Sequence, residues 1–165
     1  MPAPPAATQA LIDETLVPFL RGDTTAAELL GLDTADISSL VKVGVAAFGA
    51  NDMARARRVF QAVAAAAPML SLAHQYLGLI AERERDFDRA VEHLANAGAL
   101  LERLPIREPA QEAALTDVML QTARALFAAG RDDVARDCLT ELRGRPALDA
   151  TAARLVDALL QGKGV

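Results

Sequence analysis

Tryptophan is absent from this chain, tyrosine and cysteine occur once each, and aromatics make up only 4% of the residues. Each shortage excludes something. The single cysteine, Cys138, cannot staple the chain internally, which rules out a disulfide framework and fits a reducing compartment. With so few aromatics and a hydrophobic fraction of 52%, any core must be built from Leu, Val and Ala. Strand-favouring residues are sparse after the first fifty positions, while alanine, the best helix former, is abundant, so the chain reads as all-α. A basic face is missing too: the net charge is -5 and the pI near 5.0, which argues against a nucleic-acid partner. Lysine is nearly absent while arginine is common, a compositional bias from which no function is drawn. No apolar run approaches the roughly 20 residues that span a bilayer. The opening "MPAPPAATQA" has no Lys or Arg and no long apolar core, so it is expected not to be a signal peptide, and the protein is expected to be soluble and intracellular.

The parts needed for catalysis are equally scarce. His74 and His93 fall on different helices and Cys138 falls elsewhere, so no cluster with metal-ligand spacing can be assembled. Isolated histidines of this kind are more often surface or partly buried polar residues than ligands. Cys138 stands beside Leu139 on a helix and reads as a small packing residue. There is no phosphate-binding glycine loop and no glycine-flanked nucleophilic serine. The acids Asp132 and Asp133 are better explained by helix capping than by acid-base chemistry. The expectation is a protein that is not an enzyme and needs no cofactor and no metal.

What the chain does have is a repeat. Gly44 is matched by Gly78, Met53 by Phe87, Ala56 by Ala90 and Phe60 by Leu94, each at an offset of 34 residues. Ala123, Gly130, Ala135 and Leu139 mark a third unit, 45 residues beyond the second. The extra residues are assigned to a loop over Leu101 to Gln111, "LERLPIREPAQ", where two prolines fall. Gly44, Gly78 and Ala123 would sit on the first helix of each pair and let the second approach. Phe60, Leu94 and Leu139 would fill the space between units. Asn51-Asp52, Arg85-Asp86 and Gly130-Arg131-Asp132 would be the turns, with each aspartate capping the next helix. The alternative is an irregular Ala-rich bundle, but the bulky pairs Met53/Phe87 and Phe60/Leu94 recur at the same offset as the small ones. An offset of 34 with small residues at fixed landmarks is the tetratricopeptide pattern, and "VGVAAFGANDMARARRVF", "LGLIAERERDFDRAVEHL" and "ARALFAAGRDDVARDCL" each resemble one such repeat.

The expected fold is therefore all-α, a three-repeat tetratricopeptide solenoid with an N-terminal helix and a C-terminal capping helix. Its parts are a disordered tail over 1-7, a helical segment over 8-36, the repeats over 37-148, and a capping helix with tail over 149-165. A lone helix pair cannot bury its apolar face, whereas stacked pairs share one core. The first helices should line the inner surface. That assigns Val41, Val45 and Phe48 to the first repeat, Leu72, Gln75, Leu79 and Glu82 to the second, and Leu120, Arg124 and Phe127 to the third. This row suits a peptide with spaced apolar anchors, with Gln75, Glu82 and Arg124 left to bond its backbone. Taken singly, Val45 or Leu79 would serve equally well as core. The mixed charges of "AERERDFDRA" and the arginines of "ARARR" read as solvated edges.

A narrower resemblance lies in "FLRGDTTAAELLGLDTADISSLVKVGVAAFGANDMARARRVFQAV". It resembles the front end of the class II, or translocator, chaperones of bacterial type III secretion: small, acidic, cytoplasmic, three-repeat proteins with a leading amphipathic helix. The resemblance implies a groove that holds a translocator subunit unaggregated before export, with an extended, proline- and leucine-containing segment along the concave face. That family often has tyrosines there, where this chain has Phe48 and Phe127, and the long insert is a departure. The resemblance also implies a homodimer contact through the leading helix, at Leu11, Leu16, Phe19 and Leu20, although these side chains would equally pack on the first repeat of their own chain. The alternative function is an adaptor joining folded protein partners.

Overall fold

The structure is a computed structural model and describes residues 28, 30-105, 108-145 and 148-162. The leading segment with Leu11, Leu16, Phe19 and Leu20 lies outside the described residues. Among these residues all regular structure is helical: α1 (Thr34–Gly49), α2 (Met53–Ala66), α3 (Ser71–Arg83), α4 (Phe87–Glu102), α5 (Pro109–Ala128), α6 (Asp132–Arg143) and α7 (Ala150–Leu160). The chain divides into two compact units, Met1–Met69 and Leu70–Val165.

The N-terminal unit contains the α1-α2 hairpin. Helix α1 begins at Thr34, three residues into the segment expected to precede the repeats, because Asp33 and Asp36 cap it reciprocally. The Asp33 carboxylate accepts from the Asp36 amide at 2.9 Å, and the Asp36 carboxylate accepts from the Asp33 amide at 3.0 Å. The two helices meet at Gly44, where a Cβ would lie 2.8 Å from the tip of the Phe60 ring. Phe60, Ala56 and Val63 are all fully buried.

The C-terminal unit repeats this contact and builds on it. A Cβ on Gly78 would fall 2.6 Å from Cγ of Leu94 and 3.3 Å from the carbonyl oxygen of Ala90. Phe60 and Leu94 therefore press first on the small residue of their own hairpin, a role the sequence assigned only to the space between units. Leu94 serves that space as well. With Ala81, Ala90 and Val91 it joins Ala125, Leu126 and Ala135 of the following hairpin in one core cluster. A second cluster gathers Ala97 and Leu101 from α4, Leu115, Val118 and Ala123 from α5, Leu139 and Leu142 from α6, and Val156 from α7. Asp149 starts α7 by accepting from the amides of Thr151 and Ala152 at 2.7 and 2.8 Å. Leu155, Leu159 and Leu160 then pack on the same cluster.

The three hairpin turns share one backbone. Asn51, Arg85 and Gly130 take left-handed φ values of 60°, 63° and 73°. In each turn the following residue donates its amide to the carbonyl five residues back: Asp52 to Ala47, Asp86 to Ala81, Arg131 to Leu126, all at 2.9 Å. This is a Schellman closure whose last residue is also the N-cap of the next helix. Asp52 and Asp86 cap as expected, accepting from Arg55 and Arg89 amides at 3.0 and 3.3 Å. The third turn differs from expectation: Arg131 holds the N-cap position without a side-chain cap bond, and Asp132 is the first residue of α6. The left-handed residue fixes the register, and in this turn it is Gly130, one position earlier than an Asp132 cap requires.

The insert also differs from a simple loop. Helix α5 has 20 residues against 13 in α3, so most of the added length is helix. Pro109 sits in its first turn, where a missing amide proton costs nothing. Just before it, the Glu108 amide donates to the Gln111 side chain at 2.9 Å.

Three glycines separate packing from backbone effects in urea unfolding. Gly78→Ala should lose about 1–3 kcal/mol, because the methyl group overpacks Leu94. Gly130→Ala meets nothing within 4 Å yet should lose about 1–2 kcal/mol, the cost of a side chain at left-handed φ. Gly49→Ala, also in open space but at the end of α1 with ordinary φ, should gain roughly 0.5–1 kcal/mol.

Candidate functional site

Each unit carries candidate surface on the first helices of its hairpins: α1 in the N-terminal unit, α3 and α5 in the C-terminal unit. On α1 the buried side is narrow, limited to Gly44 and Ala47. Val41, Val45 and Phe48 follow at i, i+4 and i+7 and form a stripe beside it. Val45 is 38% exposed, and Val41 and Phe48 are half-buried. Val43, which the sequence did not single out, is open as well at 41%. Helix α1 thus carries more apolar side chains than the α1-α2 contact consumes.

In the C-terminal unit, Leu72, Gln75, Leu79 and Glu82 on α3 are all half-buried. Two polar bridges tie α3 to α5. The Gln75 side-chain amide donates to Oε1 of the Gln121 side chain at 3.3 Å, and the Arg124 guanidinium meets the Glu82 carboxylate at 3.3 Å. Gln75 therefore spends part of its capacity on Gln121, and Glu82 and Arg124 spend part of theirs on each other. Each keeps more: an amide has two donors, a carboxylate two oxygens and a guanidinium five N–H groups. Arg124 is well exposed and Glu82 much less so, which limits the worth of the pair to about 0.2–1 kcal/mol. Its value is to hold both groups in place along this face.

Leu120 requires correction. It is buried, clustered with Leu115, Val118, Met119 and Ala123, and does not line the open row. The next residue, Gln121, is the one that reaches Gln75. Helix α5 packs against α4 on one side and α6 on another, so it buries a wider arc than α1 does and fewer of its positions stay open. Phe127 is half-buried and packs against both core clusters. Gln121 was legible only as the neighbour of an expected inner residue, since one position changes direction by about 100° around a helix.

Chemical groups other than these offer little. Among the described residues no group of three His, Cys, Asp or Glu side chains could hold a metal ion. The Cys138 thiol is pushed up to about 11, first by burial and then by Glu141 and Glu102, which makes it a poor nucleophile. No helix among the described residues is long and apolar enough to cross a membrane.

With this geometry the chain can be set beside known proteins. A tetratricopeptide repeat family model matches residues 117-145, the part of the third hairpin that holds Ala123, Gly130, Ala135 and Leu139. No curated protein sequence matches the chain. Among solved structures, the type III secretion translocator chaperone SycD of Yersinia enterocolitica is 17% identical, with a TM-score of 0.66 over 84% of this chain and 98% of that one. A type III secretion complex from Aeromonas hydrophila is 18% identical, with a TM-score of 0.72 over 91% of this chain and 95% of the other. The CopN-Scc3 complex is 15% identical, with a TM-score of 0.67 over 85% and 76%. The fold is all-α and of the tetratricopeptide type, and its likeness is to translocator chaperones of type III secretion.

Proposed function

We propose that this chain is a protein-binding chaperone of the bacterial cytoplasm that holds an apolar segment of a type III secretion translocator before export. The observation that carries this reading is the likeness, over 84% of this chain and 98% of the other, to a type III secretion translocator chaperone. The surface chemistry supports it. Client contact is assigned to the first helices: Val41, Val45 and Phe48 on α1, and Leu72, Leu79 and Phe127 on α3 and α5. The open valines of α1 are apolar area that the hairpin itself does not need, and such area favours a guest with its own exposed apolar groups. Gln75, Gln121, Glu82 and Arg124 supply fixed donors and acceptors for a backbone that has none of its own satisfied. Binding, not turnover, is the task.

An adaptor that joins folded partners would use the same fold, so the test must read client solubility. In co-expression with a translocator, the wild-type chain should keep the client in the soluble fraction. Val45→Glu and Leu79→Glu should each lower the recovered soluble client by about tenfold, the effect of losing roughly 1.4 kcal/mol of binding. Circular dichroism of the free variants should stay helical. A translocator that stays soluble without the chain, or a pair of glutamate variants that rescue it as well as wild type, would turn the reading towards the adaptor.

A further inference from the structure

The chain contains two histidines, and the fold brings them together. His74 on α3 and His93 on α4 face each other with ring centroids 5.9 Å apart and planes tilted by 38°. The Nδ1 atom of each ring is shut off from solvent and has no hydrogen-bond partner. Two imidazoles with no third ligand are half of a tetrahedral shell, and no third His, Cys, Asp or Glu completes a group among the described residues. The ligand this site is equipped to take is the proton.

The repeat register shows that the place has no structural need for histidine. Thirty-four residues earlier the same two positions are Leu40 and Val59, and forty-five residues later they are Met119 and Cys138. The last two also meet across their hairpin, where the Cys138 thiol lies 3.6 Å from the Met119 carbonyl oxygen. So an apolar pair occupies these positions in the first hairpin and a sulfur-containing pair in the third, and a titratable pair takes their place in the second. A neutral imidazole has one donor and one acceptor nitrogen, but a protonated one has two donors. Protonation would turn a buried, unpartnered Nδ1 into a charged donor facing a second ring.

We propose that the His74-His93 pair is a proton-operated latch of the α3-α4 hairpin, closed while both rings are neutral and loosened when either takes up a proton. The surroundings agree. Burial lowers the His74 pKa from its ordinary 6.5. Burial also lowers that of His93, reinforced by His74 from α3 and by Arg89 on its own helix, while Glu92 on the same helix opposes the shift. A histidine whose folded-state pKa is depressed takes up its proton more readily in the unfolded chain. Stability is therefore full above about 6.5 and falls as the pH drops through the folded-state values. Leu72, Gln75 and Leu79 share α3 with His74, so acidification would also weaken the client grip, a consequence that rests on the chaperone reading. The latch itself does not rest on it.

Because there are only two histidines, the full-length, tag-free chain reports directly. Proton NMR of the two imidazole C–H signals should give both midpoints below 6.5, and both should move to the ordinary value in urea. Urea midpoints measured without client between pH 8 and 5.5, above the ordinary carboxylate range of about 4, should fall on acidification for wild type. They should stay flatter for a variant carrying His74→Leu and His93→Val, the pair found in the first hairpin. Imidazole midpoints at or above 6.5 in the folded chain, or wild-type and variant urea profiles that fall in parallel, overturn the latch. If the double variant does not fold, the wild-type titration alone decides.

Discussion

How closely two helices can approach governs the rest of this structure. At Gly44 and Gly78 the first helix of a hairpin has no side chain, and the largest buried residue of the second helix, Phe60 or Leu94, occupies the notch. Packing at interior density leaves no room there for even one more methyl group. The high alanine content follows from the same constraint. Ala56, Ala90 and Ala135 are fully buried on the second helices, and a larger residue at any of them would push the pair apart. A chain with few aromatics can still fold this way, because it needs one bulky side chain per notch and small ones around it. What a single hairpin then lacks in buried area is made up by sharing: Leu94 serves its own notch and the next hairpin at once.

The turns follow from the backbone more than from residue type. An asparagine, an arginine and a glycine adopt nearly the same left-handed φ and make the same amide-to-carbonyl closures. Arg85 does so despite the cost to a side chain of about 1–2 kcal/mol, which means the flanking helices over-determine it. The repeat offset locates all three turns in the sequence, and the caps at Asp52 and Asp86 can be read from it too. The third cap cannot, because Asp132 is a better capping residue than Arg131 by type and loses only by register. The expected loop over 101-111 is only partly loop, for a related reason: α4 runs to Glu102 and α5 starts at Pro109. Two prolines suggest a loop, yet a proline in the first turn of a helix is harmless, and Pro109 opens α5 rather than blocking it.

The candidate surface was legible where, among the described residues, a helix packs closely on one neighbour, and less so where it packs on two. On α1 the periodicity that separates Gly44 and Ala47 from Val41, Val45 and Phe48 is enough to place both sides. On α5 the same periodicity puts Leu120 in the open row, but contact with both α4 and α6 buries it and brings Gln121 forward. Periodicity identifies a face, whereas exposure depends on partners that only the fold supplies. The histidines show the converse. They read as isolated because they lie nineteen positions apart with a turn between them. Yet the repeat register that pairs Gly78 with Leu94 also places His74 and His93 where Met119 and Cys138 meet.

These constraints explain how a chain sharing under a fifth of its residues with its structural neighbours can overlay them along most of its length. The scaffold asks for few things: a notch residue, a bulky partner, small residues on the second helix and a left-handed turn position. Each can be met by several residue types, as Gly78 or Ala123 and Asn51 or Gly130 show. Nothing in that set fixes the outward side chains of the first helices, where Val45, Gln75 and Arg124 stand. The scaffold does not select those residues, so under the proposed function the choice of client would rest with them, and a shared fold cannot supply it.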